Sequence, residues 1–302
     1  MTPTATTGFC LLVNPSSGGG AAPEAVVPVA RLLRDAGAAV EVTYSPGPQA
    51  VKGLVAAAVA RGEVVVSVGG DGMLSSLAGL VSRAGGILGV LLAGRGNDFA
   101  RMLDLPSTPA EQAAVLLSGQ VRSVDLIAYD GRLVAGSVYA GVDARAAELV
   151  DRTRLLPGSL QYPYAAVRSL ATYRPGRYRL SVDGDEREVA AATVVVANSA
   201  YYGKGMPIAP GAAVADGLLD VVVIEAASRL ALMRALPSVY DGSHLDRAEV
   251  YLLTGSRVEI RGRARGPIPV GGDGEPLGTL PALTDPPALV EVRPGALRVL
   301  VP

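Results

Sequence analysis

The sequence predicts an α/β domain with a parallel sheet followed by a mainly antiparallel β domain, and three observations carry that expectation. Over the first 125 residues, short apolar runs alternate with Ala-rich stretches of helical length. Beyond Asp125, strand-like runs follow one another with few helical interruptions. The 302 residues are long enough to bury two cores.

The apolar run at 8–14 (GFCLLVN) has strand length and ends in Pro15 and a Ser/Gly cluster. Residues 24–36 then place Val26, Val29, Leu32 and Leu33 at helical spacing, and Gly37 stops the helix. The strand signal returns at 39–44 (AVEVTY), 63–68 (EVVVSV) and 86–92 (GILGVLL). Short apolar strands separated by helices imply a parallel sheet covered on both faces. In the second half, 132–141, 177–184, 187–199, 217–226, 257–262 and 296–302 are strand-like, with turns expected at Asp183-Gly184 and Pro294-Gly295. Helices are expected near 143–156, 160–173 and 228–241. Strands in series argue for a separate β domain, so the chain divides near residue 127 into domains of 1–127 and 128–302.

Composition removes several classes of function. Hydrophobic residues make up 49% and charged residues 18%, which excludes a disordered chain. Aromatics are 4%, with no Trp, and 27 basic residues face 28 acidic ones, so neither a stacking platform nor a basic footprint for nucleic acid exists. A single cysteine, Cys10, forms no internal disulfide and points to a reducing compartment. With His244 the only histidine, a His-Glu-x-x-His metal site is excluded. Neither a G-x-S-x-G elbow nor a G-x-x-x-x-G-K-[ST] loop is present. Residues 1–23 are uncharged, and their apolar run at 9–13 is too short for a signal peptide or a membrane span. The expectation is a cytoplasmic protein that is not transmembrane; its oligomeric state, a homodimer included, is left open.

Three Gly-rich turns follow strands of the first half: NPSSGGG (14–20), GGDG (69–72) and GRGND (94–98). In an open parallel sheet the loops at the carboxyl ends of strands share one edge. Glycine amides there, with helix N-termini behind them, favour an anion. Each turn alone is an ordinary strand-to-helix connection in a chain with 37 glycines. Three at one edge, two of them carrying an aspartate, read as a nucleotide site.

These segments are followed in order by APGAAVADGLLDVVVI (209–224) and GGDGEPLG (271–278). The ordered set resembles the diacylglycerol kinase catalytic family, bacterial lipid kinases related to sphingosine kinases and more distantly to NAD kinases. GGDG alone is shared across that superfamily; the five segments together span residues 8–302 almost without a gap. The resemblance implies an N-terminal NAD-kinase-like α/β domain, a C-terminal β-sandwich-like domain, an active cleft between them, and a last strand free to return to the first domain. It further implies an ATP- and Mg2+-dependent kinase that phosphorylates the hydroxyl of diacylglycerol or a similar lipid, peripheral to a membrane surface.

Carried over by position, the resemblance assigns nucleotide binding to Asn14, Ser16, Ser17 and Ser45, to Gly69, Gly70, Asp71, Gly72, Met73, Leu74 and Ser75, and to Asn97. Asp71, Asp98 and Asp125 match an acidic set that organises Mg2+ through waters, which suits an ion that dehydrates reluctantly. Glu275 matches the general base and Asp273 its acidic neighbour. Asp216, with the carbonyls of Ala213 and Leu218, matches a structural Mg2+ site; read without the resemblance, Asp216 is a plain turn residue and Glu275 a solvated one. The chain departs from the family where Met73-Leu74-Ser75 replaces Thr-x-Asn and where Arg95 replaces a Thr. Either Arg95 takes over phosphate contact, or nucleotide use is altered or lost. A soluble acceptor such as NAD, or a binding protein without catalysis, are the alternatives. Tyr201, Tyr202 and Met206 either line the acceptor cleft or pack between domains, and Cys10 and His244 read as structural.

Overall fold

Strand β1, Gly8–Val13, forms because every side chain from Phe9 to Val13 can be buried, and each is at most 1% exposed. Burying such a side chain contributes about 1.5–3 kcal/mol. In this computed structural model, which describes residues 8–302 apart from 46, 95 and 153–157, the chain divides into two units. The first takes the chain up to Leu126 together with Pro294–Pro302, and the second is Ile127–Arg293.

In the first unit β1 is followed by α1 (Ala22–Asp35), β2 (Ala39–Tyr44), α2 (Pro48–Ala60), β3 (Val64–Gly69), α3 (Asp71–Ala84), β4 (Ile87–Leu92), α4 (Asp98–Met102), α5 (Pro109–Ser118) and β5 (Gln120–Tyr129). Helix α1 buries Val26, Val29, Ala30 and Leu33, the i, i+3, i+4, i+7 face, while Leu32 stays exposed. All pairings of β1 to β4 are parallel: Leu11 aligns with Val42 and with Val66, and Val66 with Gly89. The carboxyl ends of β1, β3 and β4 therefore share one edge.

In the second unit β6 (Arg132–Val134), β7 (Ser137–Gly141), α6 (Val142–Arg152), α7 (Gly158–Ala171), β8 (Gly176–Val182), β9 (Asp185–Ala197), β10 (Leu219–Glu225), α8 (Arg229–Asp241), β11 (Val250–Gly255), β12 (Arg257–Arg263), β13 (Pro269–Gly272), β14 (Glu275–Thr279) and β15 (Ala288–Val301) follow in order. Ladders here are antiparallel, and the long β9 pairs with β7, β8 and β10. Its side chains alternate between two cores. Val194 and Val196 join Val221, Val258 and Val290 on one face, and Val195 and Ala197 join Ile208, Val222 and Val239 on the other. The β8–β9 hairpin turns at Asp183-Gly184, both at positive φ (48° and 95°), as a two-residue turn requires.

Two expectations change, and the last strand returns to the first sheet as the resemblance implied. The single strand-like run at 132–141 is two strands, interrupted at Ala135-Gly136 because their amides bond the Asp273 carboxylate. No turn forms at Pro294-Gly295; Gly295 takes φ 58° inside β15 instead. Strand β15 begins in the second unit against β12, with Val290 opposite Val258, and its Arg298 and Val299 pair in parallel with Ile87 and Leu88 of β4. Among the described residues no helix is long and apolar enough to cross a membrane.

Candidate functional site

In the first unit the three Gly-rich loops meet. Asn14 N–H donates to the Val68 carbonyl (3.0 Å), which holds the first loop to the end of β3. The Asn14 side-chain oxygen accepts from Ser16 N–H (3.1 Å) and Ser16 Oγ (2.8 Å). Ser17 Oγ accepts the N–H of Gly70 (3.3 Å), joining the first loop to the second. A Cβ on Gly18 would lie 2.5 Å from the Ala93 carbonyl, and one on Gly94 would lie 2.5 Å from the Gly70 Cα. Only glycine allows this approach of backbone to backbone. Asn97, at φ 55°, closes the third loop by accepting from Gly94 N–H (3.1 Å) and donating to Gly94 O (3.2 Å). Ser45 N–H donates to the Val13 carbonyl (2.8 Å) at the neighbouring strand end.

Asp71 Oδ1 accepts the Asp98 N–H at 2.7 Å, and Asp98 is itself 8% exposed. The two aspartates are thus fixed together at the loop edge. Asp125 is buried in β5, where its Oδ1 accepts from Gly295 N–H (2.7 Å). Gly69 is buried; Gly72 and Met73 are half-buried, and Met73 lies over Gly69 so that a Cβ there would meet its sulfur at 2.9 Å. Leu74 packs in the core with its N–H spent on the Gly70 carbonyl, and Ser75 is buried. Arg95 lies outside the described residues. Loops stripped of side-chain bulk, a helix N-terminus and carboxylate oxygens are the donor set that a phosphate chain and a hard divalent cation use, so these residues fit ATP and Mg2+.

In the second unit the Asp-Gly-Glu turn is held from both sides. Asp273, at φ 47°, accepts from the N–H groups of Ala135 (2.9 Å), Gly136 (3.0 Å) and Ser137 (2.9 Å). A carboxylate with three backbone donors serves to position the turn. Gly274 N–H donates to the Tyr139 hydroxyl at 3.0 Å, and the Tyr139 ring lies flush on Gly271, where a Cβ would come within 2.5 Å of it. Glu275 follows, exposed, and lines a cleft of about 320 Å³ with Gly271, Gly274, Pro276 and, from α6, Ala144, Ala147 and Glu148.

A polar cluster that sequence reasoning missed supports this turn. Tyr139 meets Tyr202 edge-to-face, ring centroids 6.1 Å apart. The Tyr202 hydroxyl donates to Asp143, whose Oδ2 also accepts from Thr193 Oγ1 (2.9 Å). Burial raises the Asp143 carboxyl above the ordinary carboxylate range, against the lowering effect of the Thr193 and Tyr202 hydrogen bonds and of His244. Burial also raises Tyr202, with the Asp143 charge adding to it. These residues are spread over four segments, so spacing held no signal beyond a lone aspartate just after an apolar strand. Tyr202 and Met206 pack against the buried cluster of Tyr139 and Ile208, within the second unit.

Asp216 is exposed, its Oδ1 accepting from Leu218 N–H (3.0 Å), with Ala213 and Leu218 exposed as well. The Asp216 charge adds to the burial that raises the nearby Asp220 carboxyl, so two carboxylates lie close to this turn. His244 is buried and its Nε2 bonds the Ile208 carbonyl (2.9 Å), a structural role. Cys10, Glu41 and Glu63 present ligand-type atoms within 4.8 Å of one another, but Arg61 bridges both carboxylates (3.0 and 2.7 Å). Burial first, and those two carboxylates second, push the Cys10 thiol up to about 11.

Comparison with known proteins shows the family and the fold. Residues 8–129 match the diacylglycerol kinase catalytic domain, and residues 136–301 match the YegS C-terminal NAD kinase beta sandwich-like domain. A "Diacylglycerol kinase" of Mycobacterium tuberculosis is 33% identical over 299 residues, covering 96% of this chain and 94% of that one. A "Probable lipid kinase YegS-like" of Pseudomonas aeruginosa is 29% identical, covering 87% and 84%. The crystal structure of a diacylglycerol kinase from Bacillus anthracis shares the fold at a TM-score of 0.70 and 18% identity, covering 99% and 98%.

Proposed function

The chain belongs to the diacylglycerol kinase catalytic family of lipid kinases, and from that premise we propose that it transfers the γ-phosphoryl group of ATP to the hydroxyl of diacylglycerol or a similar lipid alcohol at a membrane surface. The observation that carries this reading is Glu275: an exposed carboxylate on a cleft, on a turn pinned by Asp273 and Tyr139. A base can act only within hydrogen-bond reach of its proton, so a fixed backbone around a free-standing side chain is the useful arrangement.

The acceptor enters the cleft between α6 and the β13–β14 hairpin, and its hydroxyl proton passes to Glu275. The acceptor oxygen forms a bond to the γ-phosphorus as the bond to the bridging oxygen breaks, and ADP leaves. Phosphoryl transfer depends on positioning and charge neutralisation more than on covalent chemistry. The three loops supply the first: Asn14, Ser16, Ser17 and Ser45, the backbone of Gly69 to Met73, and Asn97 hold the nucleotide. Asp71, Asp98 and Asp125 would hold Mg2+, which supplies charge neutralisation on the phosphates. Asp273 acts through the turn it positions.

Radiolabelled ATP with a panel of lipid alcohols tests the reading. Glu275→Gln should lower turnover by roughly 10²–10⁴-fold with ATP affinity kept. Unchanged turnover removes Glu275 from its role.

A further inference from the structure

The cleft that carries Glu275 has walls from two different elements. Ala144 and Ala147 of α6 line one side, and Gly274 and Glu275 of the β13–β14 turn line the other. Helix α6 packs directly on both strands of that hairpin. Each wall is anchored by a residue of one short stretch of chain. Tyr139 of β7 takes the Gly274 N–H on its hydroxyl (3.0 Å) and stands opposite Gly271 in the β7–β13 ladder. Asp143, in the first turn of α6, is fixed to β9 by Thr193 Oγ1 (2.9 Å). Between the two anchors the chain has no slack. Gly141, at φ 116°, stands opposite Thr193, and a Cβ on it would lie 2.4 Å from the Ala192 carbonyl.

Tyr202 joins the anchors. Its hydroxyl donates to Asp143, and its ring meets that of Tyr139 at an interplanar angle of 70°. It stands on a tight loop closed by reciprocal backbone bonds with Met206 (both 3.0 Å), and it packs against the apolar cluster that contains Tyr139 and Ala144. One side chain therefore touches the anchor of either wall. Packing alone does not ask for its hydroxyl. A phenylalanine ring would fill the same space, and a phenol set among apolar side chains carries a desolvation cost that its hydrogen bond only offsets. Polar atoms in such a place specify an arrangement more than they add stability.

We propose that Tyr202 is a positioning residue for phosphoryl transfer, holding the α6 wall in register with the Glu275 turn through Asp143 and Tyr139. The inference rests on the reading above that the acceptor hydroxyl meets Glu275 in this cleft. An acceptor seated against α6 gives its proton to a base carried by the hairpin. A slip of one wall past the other by about 1 Å separates that pair, and a misplacement of this size can cost about 10²-fold in rate.

Tyr202→Phe keeps the ring and removes the bond to Asp143. It should lower kcat on diacylglycerol about 10-fold and leave KM for ATP unchanged. Asp143→Asn still offers an oxygen to Tyr202 and an amide N–H to Thr193, so it should keep most of its turnover, whereas Asp143→Leu should fall with Tyr202→Phe. Tyr139→Phe combined with Tyr202→Phe should be no slower than the slower single variant, because both cut one tie. Hydrogen exchange, measured without any acceptor, reads the tie itself: Tyr202→Phe should speed exchange both in 142–150 and in 271–276. Wild-type turnover in Tyr202→Phe overturns the proposal, even where its thermal midpoint falls. So do losses that multiply in the double variant, or faster exchange confined to 201–206. If wild type phosphorylates no lipid alcohol, the acceptor reading fails, and exchange at the two walls alone decides whether the tie exists.

Discussion

The Asp71 carboxylate, at the head of α3, holds the first amide of α4 at Asp98 through a 2.7 Å hydrogen bond. One side chain thus does two things: it fixes the third loop against the second, and it places a negative charge at the loop edge. Asp71→Asn keeps an acceptor oxygen for Asp98 N–H and removes the charge. It should retain most of the thermal midpoint while losing at least about 10²-fold in turnover, the scale of one electrostatic group in a phosphoryl-transfer site. Asp71→Ala should lose about 1–3 kcal/mol of stability in addition. An asparagine variant with wild-type turnover would leave Asp71 a purely structural role.

Gly94 faces the Gly70 Cα with no room for a methyl group, since a Cβ would sit 2.5 Å away and both partners are backbone. Gly94→Ala must push the loops apart, which costs about 1–3 kcal/mol and should raise KM for ATP more than it lowers kcat. Gly53, within α2 and facing open space, is the matched contrast. Gly53→Ala should stabilise by about 0.5–1 kcal/mol with KM unchanged. Chemical denaturation and initial rates on the two variants check both.

Burial raises the Asp143 carboxyl in the folded state. For such a group the stabilising contribution is complete below its unfolded value, about 3.9, and is lost as pH rises through the higher folded value. Asp143→Asn removes the titration. The variant should be less pH-sensitive than wild type across that window and gain relative to it toward neutral pH. Thermal midpoints at acid and neutral pH decide the matter; an asparagine variant that falls further behind as pH rises contradicts the direction.

Cys10, its thiol near 11 and its side chain 1% exposed in β1, should resist alkylation. At pH 8 only about one molecule in 10³ carries the thiolate. Iodoacetamide should modify the native protein far more slowly than the unfolded one, by mass spectrometry of intact protein. Equal rates would mean that β1 opens readily.

Some of this was readable from the chain because it is local. The Asp183-Gly184 hairpin follows from a two-residue turn between strand-like runs, and the parallel order of β1 to β4 follows from apolar runs separated by helices. Parallel strands in turn place three Gly-rich loops at one edge. What stayed hidden depends on partners far along the chain. The break between β6 and β7 exists because Asp273, more than 130 residues away, takes up the amides of Ala135 to Ser137. The β13–β14 hairpin is assembled from glycines and prolines that read as loop. Tyr139 offers no sign in sequence that its hydroxyl holds Gly274.

The course of β15 has a further consequence, for how the polypeptide acquires its shape during synthesis. Ile87 of β4 pairs with Arg298, more than 200 residues later, so this side of β4 stays unpaired until that segment has been synthesised. A contact of such long sequence separation slows folding and leaves an unpaired strand edge exposed meanwhile. Nascent chains arrested before Pro294 should therefore be more prone to aggregate and to recruit chaperones than the finished protein.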